Sequence, residues 1–245
     1  MFVLHNQRSG QVEPLSPARP GTLRTLVAAA PGTLPSLADL RSCLVADLIR
    51  RMGEHHRLRV STWQAEVAEE VASACEALNI HPAETGVQPT PGPPDVVVAA
   101  TEAATDAPVH WVQPGEVSSL GDSGLGPGLV PGSGLDPLSL RLALLERHYR
   151  EPAVLDSEVL AASDEVLRYW RGQVAEWACS PSKPMCAQYV GEVIDALDHD
   201  LATPDALSAL RALESDTAIP AGSKFEMFAY FDQFLGLDLA REVGR

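Results

Sequence analysis

The side chains that could bind a metal ion are few and poorly spaced. His55 and His56 are adjacent, and neighbouring side chains at a helix end point apart. A histidine in the last turn of a helix is favoured by the helix dipole, so we interpret this pair as structural or solvent-exposed.

The four cysteines are Cys43, Cys75, Cys179 and Cys186. They are too scattered for a disulfide framework, and their spacing matches none of the usual zinc patterns. We expect reduced, partly buried thiols. Cys179 and Cys186 flank a proline-containing loop and could bridge under oxidation.

A glycine-rich segment, GLGPGLVPGSG at 124–134, has a composition suggestive of phosphate binding. A phosphate loop needs a strand before it and a helix after it, and its backbone N–H groups must be free to donate. This segment lacks that context and places prolines where donors are needed. It is therefore not interpreted as a phosphate site.

The charge balance excludes some partners. The chain has 33 Asp and Glu residues but only 18 Lys and Arg, two of which are lysines. Its formal charge is −15. Because nucleic-acid affinity rests largely on phosphate neutralisation, unaided tRNA or DNA binding is not expected. No apolar run approaches a membrane span and no signal-peptide pattern opens the chain, so we expect no membrane association and a cytoplasmic location.

Apolar runs at 23–30, 58–63, 95–101 and 109–112 predict four strands. Helical spacing predicts helices at 36–53, with Ser36 as N-cap and Gly53 as stop, and at 64–78. The Pro- and Gly-rich stretches 85–94 and 121–134 predict loops. Five helices follow, at 136–149, 156–177, 185–201, 203–213 and 223–235. Asp156 or Ser157 is expected to cap the second of these, and Thr203 the fourth, ahead of Pro204.

Strands that alternate with amphipathic helices predict a Rossmann-like parallel α/β domain at 1–134, followed by an all-α helical bundle at 135–245. In an open α/β sheet the default ligand crevice lies at the carboxyl ends of the strands. That rule predicts a pocket there, although tryptophans at such positions more often belong to the core. Its candidate residues are Thr62, Trp63, Thr101, Glu102, Trp111 and Gln113.

Three C-terminal segments carry a resemblance. GLDPLSLRLALLERHYRE at 134–151 fits the pattern D-x-x-x-x-R-x-x-L-x-x-x-H-Y-R through Asp136, Arg141, Leu144, His148, Tyr149 and Arg150. ALDHDLATPDAL at 196–207 and FDQFLGLDL at 231–239 are the other two. With the N-terminal Pro-Gly turn and small-residue strand, they resemble the class I cysteinyl-tRNA synthetase family, and the mycothiol-pathway cysteine ligase is the sister candidate.

Read from the residues alone, these motifs are structural. His148 and Tyr149 end an amphipathic helix, where such side chains more often pack and hydrogen-bond at a domain junction than catalyse. Asp198, Asp200 and Thr203 are typical of helix ends and caps.

The resemblance implies two ATP-binding motifs, and this chain departs from both. The "HIGH" motif maps to Ser36, Leu37, Ala38 and Asp39, and no histidine occurs between His5 and His55. The "KMSKS" motif maps to a segment without lysine or arginine that includes Leu120, Gly121, Asp122, Ser123 and Gly124. Phosphoryl chemistry needs positive charge at these places, so ATP-dependent activation is not expected.

The zinc site that the resemblance implies is missing as well. Its first cysteine maps to Ala28 or Ala29, and its histidine-rich segment maps to 93–102, which holds neither histidine nor cysteine. Apolar side chains cannot coordinate zinc. We therefore expect neither a metal nor another cofactor.

Together these departures indicate a shortened, degenerate paralogue. The first hypothesis is a non-catalytic binding or regulatory protein that recognises a protein partner, itself or a small amino-acid-like ligand. The second is a cysteinyl or aminoacyl ligase of altered chemistry that takes an activated substrate or relies on a partner subunit. A tRNA-handling module is the third, and the acidic charge counts against it.

Overall fold

A five-stranded parallel sheet forms the centre of the N-terminal part. Its strands are β3 (Thr22–Ala28), β4 (Arg59–Gln64), β5 (Glu84–Thr85), β6 (Val96–Ala99) and β7 (His110–Val112), in the order β5-β4-β3-β6-β7. The order reverses between β3 and β6, as in doubly wound folds. The predicted Rossmann-like parallel sheet is confirmed.

The computed structural model describes residues 1–28, 36–64, 69–85, 92–101, 109–119 and 134–245. Two short sheets accompany the main one. β1 (Val3–Asn6) and β2 (Gln11–Pro14) form an antiparallel hairpin, whereas β8 (Val117–Ser119) pairs in parallel with β9 (Ala153–Leu155). These four strands and β5 were not predicted.

Helix α1 (Leu37–His55) packs on the sheet through its apolar face. Ser36 caps it as predicted, but the prediction that Gly53 stops it was wrong, because the helix continues to His55. Gly53 has a different role. A Cβ there would lie 2.8 Å from Val60 Cγ2 and 3.2 Å from Leu23 Cδ2, so the missing side chain lets α1 approach the sheet closely.

Helix α2 spans Glu69–Ala77 within the described residues, where 64–78 was predicted. Gln64, the predicted first residue, is the last residue of β4 and pairs with Val27 of β3. The segment 65–68 lies outside the described residues. The buried residues of α2 are Val71 and Ala74, which lie three apart on one face of the helix.

Five helices make up the C-terminal region, as predicted. They are α3 (Leu138–Leu145), α4 (Ser157–Trp177), α5 (Ala187–Asp198), α6 (Thr203–Ser215) and α7 (Ala221–Leu235). Asp156 caps α4 by accepting from the Val159 amide at 2.8 Å. No helix among the described ranges is long and apolar enough to cross a membrane.

Three predicted helix ends and one cap were wrong, the first being that of α6, which ends at Ser215 rather than 213. Helix α3 stops at Leu145 rather than 149, and α5 ends at Asp198 because Asp200 and Leu201 take left-handed backbone conformations, with φ of 59° and 49°. Ala202 rather than Thr203 occupies the N-cap of α6. The Thr203 hydroxyl instead donates to the Leu145 carbonyl at 2.7 Å, which ties α6 to α3.

A continuous hydrophobic core runs from the sheet into the helices. It includes Leu23 and Leu44 on the sheet side and Leu140 and Phe228 on the helical side, and Trp170 packs edge-on against Phe228. The predicted division of the chain into domains 1–134 and 135–245 remains a prediction.

Candidate functional site

The N-terminus of α1 is closed by its own side chains. Ser36 Oγ accepts from the Asp39 amide at 3.3 Å, and the Asp39 carboxylate accepts from the amide and hydroxyl of Ser36 at 3.0 and 2.7 Å. This reciprocal capping box satisfies two backbone donors and places a carboxylate at the positive end of the helix dipole. An incoming anion would meet that negative charge.

The first cation along α1 is already bound elsewhere. The buried guanidinium of Arg41 donates to the carbonyl oxygens of Gly115, Glu116, His148 and Glu151 at 2.6 to 3.3 Å. Burial lowers the pKa of Arg41 to about 10, which still leaves it charged at neutral pH. Its charge therefore holds loops together and does not face the end of the sheet.

Asp47, halfway along α1, is the hub of a buried ionic network. Its carboxylate lies 2.7 Å from Arg141, 2.8 Å from Arg51 and 2.7 Å from His81 Nδ1. Burial alone would raise the pKa of Asp47, but the hydrogen bond from His81 and the charges of both arginines outweigh it, and the pKa is lowered. The carboxylate thus stays ionised, and a group so fully paired stabilises the fold rather than exchanging protons with a substrate.

A cavity of about 750 Å³ opens beside this network, between α1, β4 and α2. Thr62 and Gln64 form part of its floor, and Cys43 and Cys75 form part of its wall. Its volume falls within the range of small-molecule sites.

The last residues of the five strands of the main sheet are not cationic: they are Ala28, Gln64, Thr85, Ala99 and Val112. The five segments outside the described residues, 29–35, 65–68, 86–91, 102–108 and 120–133, contain no lysine, arginine or histidine. Whatever their conformation, they bring no cationic side chain to the crevice.

The comparisons with known proteins point to one kind of enzyme. No family model matches the chain. Three relatives named L-cysteine:1D-myo-inositol 2-amino-2-deoxy-alpha-D-glucopyranoside ligase match parts of it: one from Streptomyces griseus (44% identity over 77 residues), one from Rhodococcus erythropolis (36% over 116) and one from Rhodococcus jostii (35% over 118). Over the matched part, the chain is a homologue of these cysteine ligases.

The resemblance predicted from the sequence is thereby confirmed, including its sister candidate. The homology is partial. The three matches cover 31%, 44% and 45% of this chain and only 18%, 26% and 26% of the ligases. The chain thus spans well under a third of the curated ligases that it matches.

The zinc site that the family resemblance implies does not fit the residues of this chain. At the switch point, β3 ends in Ala28 and β6 in Ala99, whose methyl groups cannot donate to a metal. Within the described ranges, no group of three or more His, Cys, Asp or Glu side chains is arranged to hold a metal ion.

The predicted pocket residues do not converge in the ligase homologue. Thr62 lines the cavity, whereas Trp63, buried as expected of a core residue, follows it on the strand and so points to the opposite face of the sheet. Trp111 lies in β7, three strand intervals or roughly 14 Å from β4, and Gln113 follows the end of that strand. Gln113 donates to the Ala100 carbonyl at 3.0 Å.

The remaining predicted site residues do not share one location either. Thr101 is exposed just after β6. Glu102 and the second-motif positions Leu120, Gly121, Asp122, Ser123 and Gly124 lie outside the described residues. Of the first-motif positions, Leu37 and Ala38 form the first turn of α1, between Ser36 and Asp39 of the capping box.

Two of the motifs that carried the resemblance meet in space. Asp200 accepts from the Tyr149 hydroxyl at 2.6 Å, lies 2.8 Å from Arg150 and accepts on its backbone oxygen from His148 at 3.0 Å. The same carboxylate accepts from the His5 amide at 2.8 Å. His148 and Tyr149 thus form hydrogen bonds, as predicted. Their place at a domain junction remains a prediction.

Sequence reasoning missed the Asp47 network and the position of Cys43 and Cys75 on the wall of one cavity. A signal for the first was present, since Asp47 interrupts the apolar face of α1 between Leu44 and Leu48. A charge at a core-facing position predicts a buried partner. The position of that partner, 94 residues away, depends on the tertiary fold.

Proposed function

We propose that this cysteine-ligase-like protein does not activate an amino acid with ATP and serves as a binding or regulatory paralogue of the ligases. The capping box of Ser36 and Asp39 is the observation that carries the proposal. The resemblance to class I cysteinyl-tRNA synthetases implies that the start of α1 belongs to the first ATP-binding motif. In this chain the start of α1 carries a carboxylate and no cation.

The physical reason is electrostatic. Adenylation builds negative charge on the phosphates, and catalysis depends on donors and cations already aimed at that charge. Loss of both cationic motifs removes several kcal/mol of transition-state stabilisation, or on the order of thousands-fold in rate. The absence of lysine, arginine and histidine from residues 111–140 supports the same conclusion for the second motif.

We propose that the protein binds either a small amino-acid-like molecule or a protein partner. The cavity between α1 and α2 has the volume for the first. The net charge of −15 favours a protein partner with a basic surface and disfavours tRNA. The same charge is compatible with a cytoplasmic location.

The homology to ligases favours a second candidate, a ligase of altered chemistry. Such a protein would take an already activated cysteinyl group, or complete its site with a partner subunit, and would need no ATP-binding motifs of its own.

ATP–pyrophosphate exchange tests the proposal. The purified protein and an active cysteine ligase are compared at equal concentration with cysteine, Mg²⁺ and labelled pyrophosphate. We expect exchange at the level of the enzyme-free blank. An exchange rate within roughly tenfold of that of the active ligase would overturn the proposal. Loss of the two cationic motifs should lower the rate by a factor on the order of thousands. Transfer from a synthetic cysteinyl thioester without exchange would select the second candidate.

A further inference from the structure

The cavity between α1 and α2 has a polar floor with unused hydrogen-bonding capacity. Thr62 and Gln64 alternate with Trp63 along β4 and both line the cavity, although they are only 8% and 6% exposed. Within the described residues, the buried hydroxyl of Thr62 has no hydrogen-bond partner. A buried polar group without a partner is costly, and a bound molecule that supplies the partner removes that cost. Thr62 thus points to a polar ligand.

Two carboxylates line the same cavity without a counter-ion. Glu69 and Glu76 lie seven residues apart on α2, which places them on one face of the helix at a separation of roughly 10 Å. Neither forms an ion pair with a described residue. The segments that the structure does not describe contain no lysine, arginine or histidine, so they cannot supply one. Both negative charges are therefore open to a cation that enters the cavity.

A guanidinium on α1 is also open to the cavity. Arg50 donates from Nε to Glu54 at 3.0 Å, and its two terminal nitrogens bond to no described residue. Such a group presents a planar pair of donors to a carboxylate. The remaining acidic and basic side chains of the lining, Asp47 and His81, are bound to each other at 2.7 Å. The open charges at the cavity are thus one positive and two negative.

This charge pattern is the complement of one class of small molecule. A basic amino acid carries one carboxylate and two cationic groups, whereas a neutral amino acid would leave one of the two carboxylates unpaired. Between the charged groups, the lining is apolar at Ala46, Ala72 and Ile80, where the methylene chain of such a ligand can pack. The volume of about 750 Å³ is sufficient for a molecule of this size.

We propose that the cavity binds a free basic amino acid with a linear aliphatic side chain. Its carboxylate pairs with Arg50, and its two ammonium groups pair with Glu69 and Glu76. The Thr62 hydroxyl bonds to one of these polar groups. The inference rests on the proposed binding function and names the class of ligand that the cavity takes.

Equilibrium dialysis of the full chain against labelled L-lysine at physiological ionic strength tests the proposal. Two unlabelled competitors each lack one group of lysine: L-norleucine lacks the side-chain ammonium, and cadaverine lacks the carboxylate. We expect saturable lysine binding, with each competitor at least roughly tenfold weaker than unlabelled lysine. Each of them leaves a charged group of the cavity without its charge-assisted hydrogen bond.

Matched variants assign the contacts. Glu69→Gln should weaken lysine binding at least roughly fivefold, because one ammonium loses its carboxylate. Glu70→Gln is the control, since it makes the same charge change one residue away on an exposed side chain that does not line the cavity; its affinity should stay within roughly twofold of the parent. Thr62→Val should weaken lysine binding without lowering the melting temperature of the free protein, because the hydroxyl that it removes has no described partner.

Three results would overturn the inference: no saturable lysine binding, norleucine that competes as well as lysine, or a Glu69→Gln protein that binds lysine as tightly as Glu70→Gln. ATP–pyrophosphate exchange on the same preparation separates this inference from the proposed function. Exchange at the level of the blank beside a failed lysine titration removes the ligand class and leaves the proposed loss of ATP activation in place.

Discussion

The guanidinium of Arg141 lies 2.7 Å from the carboxylate of Asp47, and neither side chain is exposed to solvent. Arg141 also donates to the carbonyls of Leu235 and Leu78 at 2.5 and 2.9 Å. One guanidinium thus joins α1, the end of α2 and the end of α7. This contact links the sheet to the helical region.

Replacement of Arg141 by methionine should lower the free energy of unfolding by about 3–5 kcal/mol. The substitution leaves a buried carboxylate and several carbonyls without their donor. Urea denaturation measures the change. The control is Arg211→Met, whose partner Glu146 is partly exposed and whose loss should cost about 1 kcal/mol or less. Equal costs in the two variants would contradict the role given to the buried pair.

The Tyr149–Asp200 hydrogen bond gives a second stability test. Tyr149→Phe should cost about 1.5–3 kcal/mol, since a buried carboxylate loses a donor at 2.6 Å. Tyr169→Phe is the matched control. Its hydroxyl bonds Glu214 at 2.8 Å on an exposed side chain, so its loss should stay within about 0.5 kcal/mol. A Tyr149→Phe protein as stable as this control would show that the junction does not depend on the bond.

The capping box should stabilise the sheet-facing helix. Ser36→Ala removes the acceptor for the Asp39 amide and should cost about 1 kcal/mol. Ser208→Ala, within α6 and exposed, should be neutral or slightly stabilising because alanine is the better helix former. Thermal unfolding of both variants beside the parent measures the difference. If Ser36→Ala melts with the parent, the helix start is not held as described.

Histidines with lowered pKa values should make stability depend on pH near neutrality. Burial lowers the pKa of His110, and also those of His148 and His55, below the unfolded value of about 6.5. Between the two values the unfolded chain binds more protons, so this contribution to stability is complete above the unfolded pKa and is lost as pH falls.

His110→Gln removes one of these titrations. The free energy of unfolding should therefore fall less between pH 7.5 and pH 5.5 in the variant than in the parent. Chemical denaturation of both proteins at the two pH values measures this difference. Comparing the two proteins cancels the general effect of the acidic net charge. An equal or larger loss in the variant would contradict the assignment.

The main strands and helices could be predicted because each buries an apolar pattern of its own. Val96 to Val98, for example, are almost fully buried in β6, and the spacing of Leu40, Leu44 and Leu48 specifies α1. The two-residue strand β5 and the β8–β9 pair could not be predicted, because exposed residues such as Glu84 take their pairing from distant partners.

The candidate site was less predictable than the fold. Thr62 could be placed by the rule for carboxyl ends of strands, and the anionic start of α1 by the position of Asp39. Cys43 and Cys75 line the same cavity because α1 packs against α2. Pairs of this kind join residues far apart in sequence, and no local pattern encodes their distance.

Direct titration of Mg²⁺–ATP into the protein by calorimetry tests most closely the claim that neither ATP-motif segment supplies a cation to a triphosphate. An active cysteine ligase titrated under the same conditions gives the reference. We predict no saturable heat up to millimolar ATP. Saturable binding with a Kd below roughly 100 μM, comparable to working enzymes, would contradict the claim.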